Sequence, residues 1–162
     1  MTPKSYRGDR VWTPEWVVSD IVRFLQPTGI VLEPFRGGGA FTRQFPEWLW
    51  CEIDDGRDFF DWDQPVDWIV SNPPYSKLRP VWMHAATVSA NIAFLIPFRN
   101  WVSGYGFIRA TMEYGNPKDI RLYGTGSRCG FPMGNAIVAV HWARGYRGQT
   151  RWSDATLTRD EA

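Results

Sequence analysis

A Pro-Pro pair directly after an apolar run is the segment of this sequence with the clearest potential for chemistry. The run, residues 66–70, reads Val-Asp-Trp-Ile-Val, and residues 72–75 read Asn-Pro-Pro-Tyr. Proline lacks an N–H and holds the preceding residue extended, so the pattern predicts a buried strand that ends in a stiff loop. In open α/β folds, ligands bind at loops of this kind, beyond the carboxyl ends of the strands. The Asn72 amide and free carbonyls could hold an amino group whose ring stacks on Tyr75; a turn that merely closes a core strand is the alternative.

Three acidic residues, Glu33, Glu52 and Asp58, precede this loop in the chain. Glu33 comes before the glycines at 37–39, which would let a ligand approach the backbone at a helix start. An acid in front of glycines suits a cationic ligand, and neither a dinucleotide nor a phosphate-loop motif is present. Glu52 could accept from both hydroxyls of a ribose, and Asp58 could accept from an adenine amine. Each acid alone could equally be a solvated loop residue, but their order before the Asn-Pro-Pro-Tyr loop argues against chance.

The order of these segments resembles that of the S-adenosylmethionine (AdoMet)-dependent amino-methyltransferases, which act on adenine N6, cytosine N4 or glutamine amides. The resemblance covers roughly residues 6–142 and is closest to small phage-type adenine methyltransferases. Its segments are the N-terminal cofactor motif at Thr13-Pro14, the methionine-binding loop at 33–41, the ribose and adenine motifs at 52–54 and 58–59, and the catalytic motif at 72–75.

The resemblance implies AdoMet as the cofactor, no metal, and three sets of site residues. The implied cofactor-binding residues are Trp12, Thr13, Glu33, Pro34, Phe35, Gly37, Gly38, Gly39, Phe41, Glu52, Ile53, Asp58, Phe59 and Asn72. The implied catalytic residues are Asn72, Pro73, Pro74 and Tyr75. Substrate contacts are expected from Tyr75, Arg36, Arg99, Trp101 and Arg128. Arg36 departs from the family pattern, since this loop position is often a small residue.

The favoured reaction is methyl transfer to adenine N6 in DNA. RNA adenine, a protein glutamine amide, and a non-catalytic nucleic-acid-binding module on the same fold remain open. Residues 76–162 carry eleven basic and five acidic groups, which suits a nucleic acid, although a solvated basic surface has the same composition. The sequence shows no separate target-recognition domain, so recognition is expected from residues 98–135 or from a separate subunit.

Apolar runs alternate with helical patterns along the chain, which predicts an α/β fold with a mostly parallel sheet. The resemblance implies a Rossmann-like, seven-stranded sheet with helices on both faces and a last strand pair that is antiparallel. We expect a single catalytic domain at residues 1–145, with Thr13 as the N-cap of the first helix. Residues 98–135 are glycine-rich and predicted to be an irregular recognition insert, with at most a short helix and a short strand. The polar residues 146–162 are predicted to form a mobile tail.

The 162 residues suffice for one domain with a full core. No apolar run approaches the length of a membrane span, and the N-terminal residues lack the apolar stretch of a secretory signal. The two cysteines are too few for a zinc cluster or a disulfide framework, and the histidines, His84 and His141, are expected to be structural. A cytoplasmic location fits these features.

Overall fold

The computed structural model describes residues 11–155. Within that range the strands are β1 (Val31–Glu33), β2 (Leu49–Trp50), β3 (Val66–Ser71), β4 (Ser89–Pro97), β5 (Pro117–Thr125), β6 (Ala136–Ala143) and β7 (Arg151–Asp154). The α-helices are α1 (Glu15–Leu25), α2 (Ala40–Gln44), α3 (Leu78–Val88), α4 (Phe98–Val102), α5 (Tyr105–Tyr114) and α6 (Gly126–Cys129).

All seven strands form one sheet in the order β2-β1-β3-β4-β6-β5-β7. Every neighbouring pair is parallel except those of β6, which runs antiparallel to both β4 and β5. This confirms the predicted fold class. Because β1 and β3 lie side by side while β2 and β4 flank them on opposite sides, the strand order reverses between β1 and β3. Ligands of doubly wound sheets bind at such a reversal.

The strands separate two apolar clusters, one on each face of the sheet. Leu32, Ile69 and Ile92 belong to the cluster that contains residues of α3, α4 and α5. Their chain neighbours Val31 and Val70 belong to the cluster that contains residues of α1, α2 and α6. Successive side chains of a strand point to opposite faces, so short apolar strands supply both clusters. The molecule therefore has three layers, with helices on both faces as predicted.

The prediction of an irregular segment at residues 98–135 is wrong. This segment contains three helices and the nine-residue strand β5, which pairs with β6 along most of its length. A register shift between Leu122 and Gly124 interrupts the pairing. The glycines that suggest irregularity thus include one at a strand irregularity, where glycine is common. Since β5 belongs to the sheet, the segment is part of the core, and its role in recognition stays a prediction.

The prediction of a mobile tail is also wrong for the residues that the structure describes. Strand β7 pairs in parallel with β5 at the edge of the sheet, and Ala155 after it is fully buried. The Nε of Arg151 donates to Oδ1 of Asp119 at 2.7 Å. An edge strand exposes most of its side chains, so its sequence can be polar while its backbone pairs. Residues 156–162 lie outside the described range.

Helix α1 begins one residue later than predicted, and Thr13 is not its N-cap. Pro14 takes that position with φ −59° and ψ 138°, and its carbonyl accepts from the N–H groups of Val17 and Val18. The helix is anchored on β5 by its buried Asp20, which accepts from Arg121 Nε and Nη2 at 2.6 Å each and from the Tyr123 hydroxyl at 2.8 Å. The backbone that precedes α1 is therefore held in a defined place over the sheet.

The histidines and cysteines have structural surroundings. Buried His141 is 2.8 Å from Asp119 through Nδ1, and His84 is 2.9 Å from the Trp62 carbonyl through Nε2. Cys51 and Cys129 are free and buried. Among residues 11–155, no three His, Cys, Asp or Glu side chains form a group that could hold a metal ion. No helix in the same range has the length and apolar character needed to cross a membrane.

Candidate active site

A cleft of about 340 Å³ lies at the reversal of strand order between β1 and β3. Its wall combines the loop after β1, the segment from Glu52 to Phe60, the loop after β3, and residues Val11 and Trp12. The volume is within the range of small-molecule sites in proteins. The predicted cofactor and catalytic segments, which are far apart in the sequence, thus meet in one cleft.

Glu33 ends β1 as a buried carboxyl group that is only 2% exposed. Its Oε2 atom has no hydrogen-bond partner among the described residues. Glu33 directly precedes Pro34, which lines the cleft. Burial raises the pKa of Glu33 to about 9, nearby Glu52 adds to the rise, and the charge of Arg36 opposes it. The Thr42 backbone hydrogen-bonds the carboxyl group, but its Oε2 has no partner within the described range. A buried acid with an unsatisfied oxygen is costly, so this position favours a cationic ligand or a hydrogen-bond donor.

Glu52 connects the glycine loop to the turn that follows β2. Its Oε2 accepts from the Gly37 N–H at 2.7 Å, and its Oε1 accepts from the Asp54 N–H at 3.3 Å. Through the second bond Glu52 caps a 3₁₀ turn at Ile53–Asp55, and β2 ends before this turn. The carboxylate still lines the cleft beside Ile53, and each oxygen keeps a lone pair for a ligand hydroxyl.

An aromatic wall stands next to these acids. Phe59 is 2% exposed and packs edge-on against Phe35, with 5.5 Å between ring centroids. Asp58 holds the wall in place because its Oδ1 accepts from the Phe60 N–H at 3.0 Å and caps the turn Phe59–Asp61. All four residues line the cleft. A flat apolar ring with a polar edge, such as a nucleobase, suits this combination of phenyl rings and a carboxylate.

The side-chain amide of Asn72, a residue of the cleft wall, is oriented by two hydrogen bonds. Its Nδ2 donates to the Val11 carbonyl at 3.3 Å and to the Thr13 hydroxyl oxygen at 3.1 Å. A carbonyl can only accept, so the nitrogen must face Val11 and the oxygen must face away. The Oδ1 atom is buried and has no hydrogen-bond partner among residues 11–155. The site therefore presents an acceptor that lacks a donor.

The remaining residues of the Asn-Pro-Pro-Tyr loop shape the cleft to different degrees. Pro74 lines it, whereas Pro73 is buried and does not. Tyr75 begins the 3₁₀ turn Tyr75–Lys77 and packs, partly buried, against the core cluster beneath α3. Its stacking on a substrate ring stays a prediction.

Other residues of the predicted site also lie outside the cleft wall, among them Glu33, Gly39, Phe41 and Trp101. Phe41 is 1% exposed and stacks on Trp48 in the core, and Gly39 is the N-cap of α2 with φ 79°. The prediction that Trp101 contacts the substrate is wrong. Its ring is 6% exposed, packs against Trp142 at 5.5 Å, and donates its Nε1–H to the Thr111 hydroxyl.

The predicted substrate-contacting arginines differ in their surroundings. Arg36 lines the cleft, with Nη1 3.4 Å from Asp55 and the guanidinium 4.6 Å from the centre of the Trp50 ring. Arg99 on α4 and Arg128 on α6 are exposed and do not line the cleft. Their contacts with a substrate therefore stay predictions.

Several cleft residues were not expected from the sequence. They are Val11, Asp55, Phe60, Lys77 and Val81. Most of them adjoin a predicted motif, so widening each motif by a few residues would have included them. Val81 lies on the buried face of α3, and nothing in the local sequence indicates Val11.

Gly38 has no room for a side chain, which leads to a stability and binding prediction. A Cβ atom there would overlap the indole ring of Trp12. We expect Gly38→Ala to displace Trp12, which forms part of the cleft wall, and to weaken ligand binding by roughly tenfold for a shift of this kind. Gly56→Ala is the matched control, because nothing lies within 4 Å of its Cβ position and its φ of 72° carries the backbone strain alone. Calorimetric titration and the melting temperature measure both effects; equal affinities for the two variants would contradict the prediction.

The sequence matches no protein-family model and no curated protein. Solved structures do match the fold. A candidate RNA methyltransferase from Pyrococcus horikoshii has a TM-score of 0.61 at 14% identity, with 88% of this chain and 90% of that chain covered. A type I restriction-modification methyltransferase subunit from Streptococcus thermophilus has a TM-score of 0.63 at 12% identity, with 90% and 47% covered. The EcoKI M protein of a type I restriction enzyme has a TM-score of 0.61 at 14% identity, with 83% and 44% covered.

This chain thus spans nearly the full length of the first structure and less than half of the two modification subunits. At sequence identities of 12% to 14%, these TM-scores show a shared fold and no more. The α/β architecture with a seven-stranded, mostly parallel sheet agrees with these neighbours. The chain has the Rossmann-like fold of the class I AdoMet-dependent methyltransferases.

Proposed function

We propose that this protein is an AdoMet-dependent methyltransferase that acts on an exocyclic amine, with adenine N6 in DNA as the favoured acceptor. The observation that carries the proposal is the buried Oδ1 of Asn72, an acceptor without a donor among the described residues that belongs to a residue of the cleft wall. A buried acceptor without a partner is costly, and an amine N–H is the group that would satisfy it.

The residues of the cleft fit AdoMet. Glu33, which lies behind the cleft residue Pro34, suits the ammonium group through its Oε2, which has no partner among the described residues; Glu52 suits the ribose hydroxyls, and Asp58 with Phe59 suits the adenine. The bound cofactor would supply an electrophilic methyl group. Glu33, Glu52 and Asp58 would hold the donor at the reversal of strand order, directly beside the loop that carries Asn72.

The chemical task of the protein is to make a poor nucleophile react. The lone pair of an adenine amine is delocalised into the ring, and positive charge grows on the nitrogen as it attacks. The Asn72 Oδ1 and the Pro73 carbonyl would each accept one amine N–H and stabilise that charge. Because the strand end and two prolines fix these acceptors, little reorganisation is needed during the reaction. Alignment of the amine with the methyl group of the cofactor would supply the rest of the rate acceleration.

DNA is favoured as the substrate by the phage-type resemblance and by the basic excess of residues 76–162. The similarity to modification subunits of restriction systems supports the same substrate and a separate recognition subunit. RNA adenine is the second candidate, supported by the near full-length match to the candidate RNA methyltransferase. A protein glutamine amide is a further candidate, because it presents the same N–H groups to Asn72. A non-catalytic nucleic-acid-binding module would keep the cleft but transfer no methyl group.

A labelling experiment separates these possibilities. The chain is incubated with methyl-labelled AdoMet and, separately, genomic DNA, total RNA and a protein pool, followed by nucleoside and amino-acid analysis. We expect label in N6-methyladenine from DNA. Label in RNA or in glutamine would identify RNA or protein as the substrate in place of DNA. AdoMet binding without methyl transfer to any pool would point to a missing subunit or to a non-catalytic binding module. Absence of AdoMet binding in calorimetry would overturn the proposal.

A further inference from the structure

The three residues Val11, Trp12 and Thr13, here called the N-terminal strap, contact both halves of the cleft. The Trp12 ring lies against Gly38 of the glycine loop, and Val11 and Thr13 bind the Asn72 side chain. The strap reaches Asn72 across 59 to 61 positions of sequence. It is therefore a tertiary connection between the predicted cofactor loop and the predicted catalytic loop.

Both hydrogens of the Asn72 amide are used by the strap. One is donated to the Val11 carbonyl and the other to the Thr13 hydroxyl oxygen. Without these two acceptors the amide could rotate by half a turn and present its NH₂ group to the cleft. An NH₂ group facing a substrate amine would place donors opposite donors and remove the acceptor on which the chemistry depends. The strap thus selects the orientation of the Asn72 amide in which Nδ2 faces Val11 and Thr13 and Oδ1 faces away from them.

The position of Thr13 differs from what the family resemblance implies for it. Val11 and Trp12 line the cleft, whereas Thr13 does not, and its hydroxyl oxygen is directed to Asn72. Thr13 does not cap α1 either, because Pro14 holds that position. The Thr13 hydroxyl accepts from the Asn72 amide at 3.1 Å, so a function through Asn72 accounts for it better than a helix cap or a cofactor ligand.

The strap is held firmly enough to set that orientation. It continues through Pro14 into α1, and α1 is bound to β5 by the buried Asp20 and its bonds to Arg121 and Tyr123. The Nε1–H of Trp16 in the first turn donates to the Cys129 carbonyl at 2.8 Å. A rigid helix therefore carries the strap, and Pro14 keeps Thr13 extended.

We propose that Thr13 is a positioning residue, which fixes the Asn72 amide with its oxygen toward the substrate amine, and that it is not a ligand of the cofactor. This inference rests on the proposed methyl transfer. It adds the N-terminal strap to the residues on which catalysis depends. The Thr13 hydroxyl would affect the rate of methyl transfer and not the affinity for the cofactor.

The test compares Thr13→Val, which keeps the branched shape and removes the hydroxyl, with Thr13→Ser, which keeps the hydroxyl. Thr13→Val is expected to lower kcat about tenfold with the AdoMet Kd within about twofold of wild type, the loss typical of one oriented hydrogen bond. Thr13→Ser is expected to regain most of the lost kcat. Thr87→Val is the matched control, since its hydroxyl bonds the His84 carbonyl on an exposed helix surface. A raised Kd for AdoMet with kcat unchanged at saturation would make Thr13 a cofactor ligand and overturn the inference.

A second measurement does not depend on activity. The side-chain NH₂ signals of Asn72, identified by their loss in Asn72→Ala, are followed by ¹⁵N NMR in the full chain. In wild type both hydrogens are expected to exchange slowly with water, and in Thr13→Val one of them exchanges faster. Unchanged exchange in Thr13→Val would overturn the inference. If wild type transfers no methyl group to any pool, the proposed function fails, and the Asn72 signals still decide whether Thr13 orients the amide.

Discussion

Asn72→Ala is expected to slow methyl transfer by about a hundredfold or more, because it removes the acceptor that stabilises charge on the attacking nitrogen. The Oδ1 atom of Asn72 is buried at the cleft and its partners among the described residues bind only the nitrogen. AdoMet affinity is expected to change little, since Glu33 and Glu52 supply the contacts with the cofactor in the proposed site. Single-turnover transfer at saturating cofactor measures the chemical step directly.

Asn116→Ala is the matched control for this prediction. The Asn116 amide donates to the Gly148 carbonyl at 3.3 Å in an exposed region and does not line the cleft. Its replacement removes an equivalent amide and is expected to leave transfer unchanged. Undiminished transfer by Asn72→Ala with normal AdoMet binding would refute the role of Asn72 and with it the proposed mechanism.

Glu33 is expected to make AdoMet binding depend strongly on pH. Burial raises the pKa of Glu33 to about 9, so the free protein carries a neutral carboxyl group at pH 7. A cationic ligand would bind the ionised form, so the affinity should rise about tenfold per pH unit between pH 6 and 7.5, where the ligand's ammonium group is still charged. Calorimetry in buffers of different ionisation enthalpy should detect about one proton released per ligand bound.

The same pKa shift has a consequence for stability. The pKa of Glu33 is higher in the folded protein than its ordinary value of 4.5, so the folded state holds the proton more tightly than the unfolded chain. The stabilisation is complete below about pH 4.5 and is lost as the pH rises toward 9, at up to about 1.4 kcal/mol per pH unit for one group. The free energy of unfolding without ligand should therefore fall across this range.

Glu33→Gln should remove both effects, because the amide resembles the protonated carboxyl and cannot ionise. At pH 7.5 we expect AdoMet binding weakened roughly tenfold, the value of a charge-assisted hydrogen bond. Glu47→Gln, at an exposed position outside the cleft, is the matched control and should keep the pH dependence of wild type. If Glu33→Gln retains the wild-type slope of affinity against pH, another group binds the cation.

The local features of the site could be predicted from the sequence. Residues 66–70 form the strand that leads into Asn72, and the apolar runs before Glu33 and at 92–96 belong to strands β1 and β4. These patterns are readable because burial on both faces requires continuous apolar residues and because proline constrains its own neighbours. Parallel strands joined by helices then bring their carboxyl ends to one edge, so Glu33 and Asn72 must approach each other.

The tertiary structure alone decided three other features. Strand β7 forms from polar residues because backbone pairing with β5 needs no apolar pattern. Trp101 becomes a core residue because it packs against α5 and β6. Thr13 meets Asn72 only after the whole sheet has assembled. Local sequence reports the preferences of neighbouring residues, whereas burial, hydrogen-bond partners and pKa values depend on chain segments that are distant in sequence. The sequence therefore determined the identity and order of the chemical groups, and the fold determined which of them face the cleft, which are neutral, and what holds them in place.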